Sequence, residues 1–518
     1  MIELQVPHLP DAFRGQVARS ALYISIFLWA VPLLEYIFRK RVRRNGSVPV
    51  IGLPSGTHLK DARQKFYSDA QSMLLEGYTK FKGSPFYVPT PLGERLMIPP
   101  KYVEELKGAP MEDVDFVGTF FEMFEGKYTT MGSRSQLHPR VTRLQLNQHM
   151  ESILQPVREE IIDTFEDEVK VGSEWTEVPF ADKLTWIVAR ASSRMFGGKE
   201  LARNAPWLKA TQDFAMDGFI GAQKIKQYPK LIRPFVAPFI AELRRIPRHH
   251  GAVRKAVSSI LEARGYDPRK PVGSRTTSKP SDFLQWMIDD AQPGEEKPEF
   301  LAEILLKISF AALHTSAASP MQLVYDLCEH PEYIAPLREE VDKVMNEHPV
   351  LDKRALGKLR KLDSFMKESL RFNPLLLVTF ERIIHNGYTL SDGFQIPPGT
   401  FVGSPSQAIA MNPEVYPDPE KFDGWRHEKM LQAVEKDPSA AGRTKWASAN
   451  LDNMAFGYGR HACPGRFFAD YEIKLIMAHL LSTYDFEYVK EQKERPANLN
   501  AETQMIPNHQ AKIRMRRR

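Results

Sequence analysis

The amino-acid sequence predicts a mainly α-helical chain with small β-sheets, preceded by one N-terminal transmembrane helix. Three observations lead there. Apolar spacing beyond residue 60 is mostly helical, as in residues 156–169 and 300–318. Extended runs are few, short and bounded by turn residues. One stretch of membrane-spanning length stands near the amino terminus.

Composition narrows the class. Hydrophobic residues make up 42% and charged residues 26% of 518, which fits a packed protein rather than a disordered one. Seventy basic against 64 acidic residues leave a net charge of +6, too little over this length to argue for a nucleic-acid partner. The two cysteines, Cys328 and Cys463, are too few and too far apart for a disulfide framework or a zinc cluster, so the chain reads as reduced and intracellular.

Residues 1–45 are read as an N-terminal segment carrying a membrane anchor at about 21–38 (ALYISIFLWAVPLLEYIF). A helix of that length spans ~27 Å, close to the ~30 Å of a bilayer core. Arg14 and Arg19 precede it, whereas Arg39, Lys40, Arg41, Arg43 and Arg44 follow, which keeps the carboxy-terminal side in the cytoplasm. Residues 46–60, with Val48-Pro49-Val50-Ile51-Gly52-Leu53-Pro54, are expected to form a proline-stiffened hinge, and residues 61–518 a single domain without repeats.

Within that domain, residues 85–99 read as a hairpin turning at Leu92-Gly93-Glu94. A second extended region covers residues 375–401, with a turn at Ser391-Asp392-Gly393 and a non-helical Ile396-Pro397-Pro398-Gly399. Residues 484–489 and 511–515 read as another strand pair, and 265–281 and 437–450 as polar surface loops.

The segment Phe456-Gly457-Tyr458-Gly459-Arg460-His461-Ala462-Cys463-Pro464-Gly465-Arg466, followed by a helical run over 467–481, carries the chemistry. Three glycines and a proline around one cysteine describe a tight loop that delivers a thiolate just before a helix N-terminus. There the dipole and backbone N–H groups stabilise negative sulfur. Cysteine thiolate holds haem iron where the O–O bond of dioxygen is to be cleaved. Gly457-x-Gly459-x-x-Ala462 also fits a dinucleotide fingerprint on paper, but Pro464-Gly465 interrupts it and too little chain follows for a βαβ unit. The C-x-x-C-H of covalent haem attachment is absent. Taken alone, a single cysteine is as well explained as a buried core residue.

The string FGYGRHACPG resembles the cysteine loop of the cytochrome P-450 superfamily, and further motifs stand upstream in the family's order. In Lys367-Glu368-Ser369-Leu370-Arg371, Glu368 and Arg371 share a helix face at i, i+3. Pro417-Asp418-Pro419-Glu420-Lys421-Phe422-Asp423-Gly424-Trp425-Arg426-His427 is similar to the segment that supplies a second arginine, although Gly-Trp-Arg-His departs from the common Pro-Glu-Arg-Phe. Ala311-Ala312-Leu313-His314-Thr315 resembles the oxygen-activating helix, with His314 where family members usually carry an acid.

The resemblance implies the cytochrome P-450 fold and one haem b. Cys463 would be the axial iron ligand, Phe456 would pack by the loop, and His461 would contact a propionate, with Arg382 and Arg143 as further propionate candidates. Glu368, Arg371 and Arg426 would form a buried structural triad. Thr315 would hydrogen-bond dioxygen and steer protons to it, with His314 replacing the usual acid as the second catalytic candidate. It further implies a monooxygenase fed by NADPH-cytochrome P-450 reductase, with cytochrome b5 as an additional candidate partner. The protein would be a single-pass endoplasmic reticulum protein with its catalytic domain in the cytoplasm. Arg460 and Arg466 are candidate docking residues for an acidic flavoprotein face or propionate contacts. The substrate would be a lipophilic small molecule. Residues 310–315 and 122–128 are similar to fungal ent-kaurene-oxidase-like and indole-diterpene oxidases, which points to a terpenoid in secondary metabolism. A polyketide, alkaloid or fatty acid, a redox-neutral haem-thiolate isomerase, and a non-catalytic haem binder are the alternatives.

Overall fold

The computed structural model describes residues 45–53, 58–91, 93–434 and 436–518. The expected anchor at 21–38 lies outside them. Helix dominates, and the longest element, Pro298–Glu329, runs through the middle. It packs against Phe180–Ala202, Ala205–Lys226, Ala241–Ala263 and Arg466–Thr483, and Met150–Glu168 packs on Phe180–Ala202 and Arg466–Thr483. The sequence reading ends the central helix at residue 318, just before Pro320, yet it continues to Glu329. Residues 320–327 are buried without a break, so packing outweighs the hydrogen bond that proline removes. Among the described residues this is also the one helix long and apolar enough to cross a membrane. Its seat among core helices accounts for that composition.

A five-stranded sheet flanks the helices, in the spatial order Phe86–Thr90, Gly93–Met97, Thr400–Ser404, Thr379–Ile384, Val114–Asp115. Its first two strands form the expected hairpin, but Gly93 already pairs with Thr90 and Glu94 with Pro89, so both belong to the strand rather than to the turn. Gly93–Met97 then runs parallel to Thr400–Ser404, a pairing that joins distant parts of the chain. The proline-rich segment before the domain is fastened to this sheet: Ile51 N–H donates to Tyr87 O (2.9 Å), Tyr87 N–H to Pro49 O (2.8 Å), and Val48 and Ile51 are buried.

The carboxy-terminal strands Tyr484–Tyr488 and Ile513–Arg517 pair as expected and gain Thr176–Val178 on the other edge of the second strand. Residues 265–281 form a loop without helix or strand, whereas 437–450 contains the helix Pro438–Thr444.

Candidate active site

The cysteine loop is built by its own backbone. Gly457 and Gly459 take φ of +72° and +69°, and a Cβ on Gly459 would stand 2.7 Å from Lys107 Cβ, so this close approach needs glycine. Cys463 N–H donates to Phe456 O (2.8 Å) and Ala462 N–H to Gly459 O (3.1 Å), which folds the loop back on itself. Gly465 then caps the helix Arg466–Thr483. Burial pushes the Cys463 thiol up, with the N–H groups of Gly465 and Arg466 and the Arg466 charge acting the other way. Yet the Cys463 side chain itself is exposed. A group both desolvated and exposed faces an open space inside the molecule.

The central helix opens onto such a space as well. Ala311 and Thr315, one turn apart on one face, are exposed while Leu313, Ser316 and Ala317 beside them are buried. A small residue and a hydroxyl leave room for a flat group against the helix. Thr315 Oγ1 donates to Ala311 O (2.7 Å) and Ala312 O (3.1 Å). His314 is the exception. One residue earlier on the helix, its ring is buried next to the Gln212 backbone of the neighbouring helix, and its Nε2 is buried without a hydrogen-bond partner. Burial, with the His509 charge, pushes its pKa down, and the Gln212 backbone acts the other way. A step of ~100° around the helix separates the His314 ring from the Thr315 face.

Around the edge of this space the structure gathers cations. His461 stacks on Phe116 (centroids 4.9 Å apart, 25°), and its Nε2 is buried with no partner. Burial and the positive charges of Arg382, Arg460 and Arg143 hold its pKa down at about 4. Burial and Arg460 bring Arg382 down to about 9. Arg143 donates to Arg460 O (2.7 Å), Arg382 to Glu381 O (2.7 Å) and Arg460 to Ala109 O, all backbone carbonyls. None of the three arginines has a carboxylate within ion-pair distance among the described residues. A ring of unpaired guanidiniums with an orphaned imidazole nitrogen is a site for carboxylate anions. The two propionates of haem fit it, and the cysteine and small-residue helix face fit the rest of the macrocycle.

Glu368 lies wholly buried on the helix Arg360–Phe372. Arg371 grips it bidentately, with Nε donating to Oε2 (2.9 Å) and Nη2 to Oε1 (2.8 Å), and Arg426 Nε donates to Oε1 (3.0 Å). Arg426 also donates to the carbonyls of Pro417, Asp418 and Lys421, and so ties the meandering segment to the helix. Burial would raise the Glu368 carboxyl, but Arg371 and His427 hold it down at about 2. Lys367, one residue earlier, donates to Arg443 O, Lys445 O and Ser448 Oγ, and Arg466 Nε to Ala447 O. Segment 443–448 is thereby clamped between that helix and the cysteine helix. Phe456, half-buried, meets Trp446 of this segment edge-on at 4.9 Å.

The Cytochrome P450 family model matches residues 124–515, and the motifs just described fall inside that span. The chain belongs to the cytochrome P450 family. Cytochrome P450 monooxygenase AN1598 of Emericella nidulans is 34% identical over 98% of this chain and 95% of its own length. Ent-kaurene oxidase P450-4 of Gibberella fujikuroi is 35% identical over 96% of this chain and 97% of its own. A retinoic-acid-bound cyanobacterial structure, CYP120A1, superposes with a TM-score of 0.66 over 91% of this chain and all of its own, at 18% identity, which shows the shared fold. This chain is therefore a cytochrome P450 monooxygenase, and the family implies a haem-thiolate cofactor.

In this P450 the structure gathers His461, Arg382, Arg143 and Arg460 into one cluster, leaves Cys463 and Thr315 each exposed, and joins Glu368, Arg371 and Arg426. Arg460, read from the sequence as a docking residue or a propionate contact, lends its charge to the cation cluster. Sequence reasoning missed two participants. Phe116 supplies the stacking partner of His461 from a distant segment that carries no local signal. His427 places Nε2 3.4 Å from Glu368 Oε2, misaligned for a hydrogen bond. It fills one of the three positions at which Gly-Trp-Arg-His departs from the family's Pro-Glu-Arg-Phe, and that departure was the available signal.

Proposed function

We propose that this P450 inserts one atom of dioxygen into a rigid apolar skeleton, a terpenoid of fungal secondary metabolism, using NADPH-derived electrons from a cytochrome P450 reductase. The observation that carries the reading is a chain of aromatic rings. Phe116 meets Phe120 at 5.0 Å, Phe120 meets Phe124 at 6.2 Å, and Phe124 meets Phe310 at 5.2 Å. Phe310 directly precedes Ala311 on the central helix. The rings thus line the way from the stacked His461 to the open Thr315 face, and an aromatic wall with few hydrogen-bonding groups suits a polycyclic hydrocarbon framework. The full-length likeness to an ent-kaurene oxidase supports the same substrate class.

Cys463 would hold the iron of haem b, and His461, Arg382 and Arg143, with Arg460, the propionates. Haem bound there supplies reductive activation of dioxygen. The residues supply the surroundings: Gly465 and Arg466 N–H groups temper the sulfur, the Phe116 to Phe124 wall excludes water, and Thr315 Oγ1 positions a proton toward the dioxygen substrate. The anchor at 21–38 would hold the enzyme on the endoplasmic reticulum, catalytic domain in the cytoplasm. The test is spectroscopic and chemical. The ferrous carbonyl form is expected to show the red-shifted Soret band of a thiolate ligand, and with reductase, NADPH and a terpenoid panel, NADPH and dioxygen are expected to be consumed in step with a hydroxylated product. Cys463→Ala abolishes both, whereas Cys328→Ala, at a buried thiol away from the loop, leaves both. A Soret band that survives Cys463→Ala refutes the assignment.

A further inference from the structure

A small pocket of about 20 Å³, room for one group the size of a water or a hydroxyl, lies between the end of helix Ala205–Lys226, residues 123–124 and the hairpin Leu499–Ala501/Gln504–Ile506. Phe124 is both a wall of this pocket and the ring that meets Phe310. The pocket therefore adjoins the substrate wall at its far end from the cysteine loop. Its outer lining is polar. Gln223, Lys226, Glu502, Thr503 and Gln504 face it, all buried or half-buried.

The protein commits few of these groups. Lys226 Nζ donates only to Met123 O (2.5 Å), and no carboxylate stands within ion-pair distance of it among the described residues. Burial pushes its pKa down, with the charges of Glu502 and then Glu125 acting the other way. The neighbouring cation Arg95 is already paired with Glu381. The side chains of Gln223, Glu502, Thr503 and Gln504 have no hydrogen-bond partner within the described protein, whereas the backbone that carries the last three is fixed. Glu502 N–H donates to Tyr67 O (3.0 Å), Leu377 N–H donates to Thr503 O (2.8 Å), and Glu502 is held at φ +53°, a costly conformation for a residue with a side chain. A rigid backbone that presents uncommitted polar side chains into a pocket is preorganised for a ligand.

We propose that this pocket binds a hydroxyl group at the end of the substrate remote from the oxidised carbon, with Lys226 donating to the hydroxyl oxygen and Glu502 accepting its proton. The inference rests on the apolar-skeleton reading above and makes it narrower: the substrate is a polycyclic alcohol, not a bare hydrocarbon. A hydroxyl satisfies a donor and an acceptor together, which a carboxylate cannot, because Glu502 repels it. A hydrocarbon leaves the Glu502 carboxylate without a donor and Lys226 with Met123 O alone, and a site built for a hydroxyl discriminates against a ligand that lacks one. The reaction that supplies this enzyme must then already have installed the oxygen, as an earlier hydroxylation or a water-terminated polyene cyclisation does.

The test uses the full-length haem-loaded protein and three probes with one tricyclic skeleton: dehydroabietane, dehydroabietinol and dehydroabietic acid. Dissociation constants are read from the substrate-induced change in the Soret spectrum. The alcohol is expected to bind at least tenfold more tightly than either the hydrocarbon or the acid. Lys226→Met and Glu502→Gln should each remove most of that advantage and leave hydrocarbon binding within about threefold. Two independent variants guard against one of them failing to fold. Equal affinity for hydrocarbon and alcohol in the unaltered protein, or an alcohol preference that survives both variants, overturns the proposal while the apolar-skeleton reading stands. A spectrum unmoved by all three probes removes that reading, and this one with it.

Discussion

Replacing Glu368 by Gln keeps the side chain's size and removes its charge from between two buried guanidiniums. Its size can be reached by two routes. The carboxyl is held at about 2 against an ordinary 4.5, and each unit of displacement corresponds to ~1.36 kcal/mol, so burial with its partners favours the ionised form in the folded state by roughly 3 kcal/mol. Independently, removing one partner of a buried ion pair costs ~3–5 kcal/mol because a charge is left uncompensated. Arg371, with no side-chain exposure, and Arg426, at 9%, are in that position. The two routes agree, and ~3 kcal/mol is a large share of the stability of a typical domain. Guanidinium unfolding at pH 7, followed by Soret absorbance and tryptophan fluorescence, is expected to show Glu368→Gln less stable by about this amount. The pH profile adds a second reading. Because the folded pKa is depressed, the stabilisation is present above pH 4.5 and is lost as pH falls through about 2. The unaltered protein therefore weakens over that interval in a way the variant does not. A variant within 1 kcal/mol of the unaltered protein at pH 7 would refute the claim that this cluster braces the core.

Two further outcomes bear on the site. Arg382→Leu is expected to weaken haem retention, measured as the rate of transfer to apomyoglobin, by at least tenfold with folding intact; an unchanged rate would remove Arg382 from the propionate cluster. Thr315→Val is expected to raise the ratio of hydrogen peroxide to product at nearly constant NADPH oxidation, since a positioned proton-transfer group contributes ~10²–10⁴ in rate. Unchanged coupling would dismiss its hydroxyl from that role.

The cysteine loop and the glutamate-arginine pair were legible because their chemistry is local. Gly457, Gly459 and Cys463 lie within seven residues, and Glu368 and Arg371 face each other at i, i+3 wherever the helix forms. What was not legible depends on contacts far apart in sequence. Nothing near residue 95 announces a parallel partner at 401, and the hairpin 499–506 is too short and polar to stand out as strand. His314 shows the limit from the other side. Its type suits proton transfer and its position adjoins Thr315, but its burial and its contact with the Gln212 backbone are set by a helix distant in sequence. Pro320 similarly reads as a helix end until buried residues on its far side are known to hold the turn.

His427 joins both lessons, since the motif's departure was visible but its consequence was not. The ring is buried to 2% exposure, meets Tyr416 edge-on at 5.9 Å, and is held at a pKa of about 4 by burial, with Glu368 acting the other way and the charges of Lys367 and Arg371 adding to the depression. A histidine whose folded pKa lies below its ordinary 6.5 stabilises the fold fully above pH 6.5 and loses that contribution as pH falls through 4. At pH 5 the loss amounts to roughly 2 kcal/mol, at ~1.36 kcal/mol per unit over the 1.5 units below 6.5. Glu368 does not titrate in that window, because its own contribution is lost only below 4.5. His427→Phe keeps a ring of similar width without the titrating group and relieves no hydrogen bond. The other histidines held near 4, His138, His461 and His479, affect both proteins alike, so the difference between variant and unaltered protein isolates position 427. Stability measured by guanidinium unfolding at pH 7.5, 6.5, 5.5 and 5.0 should fall less steeply in His427→Phe, by about 2 kcal/mol over the series. Parallel profiles would mean that the folded protein protonates His427 as readily as the unfolded chain does, and that the imidazole answers the Glu368 carboxylate as a third cation rather than lying neutral beside it.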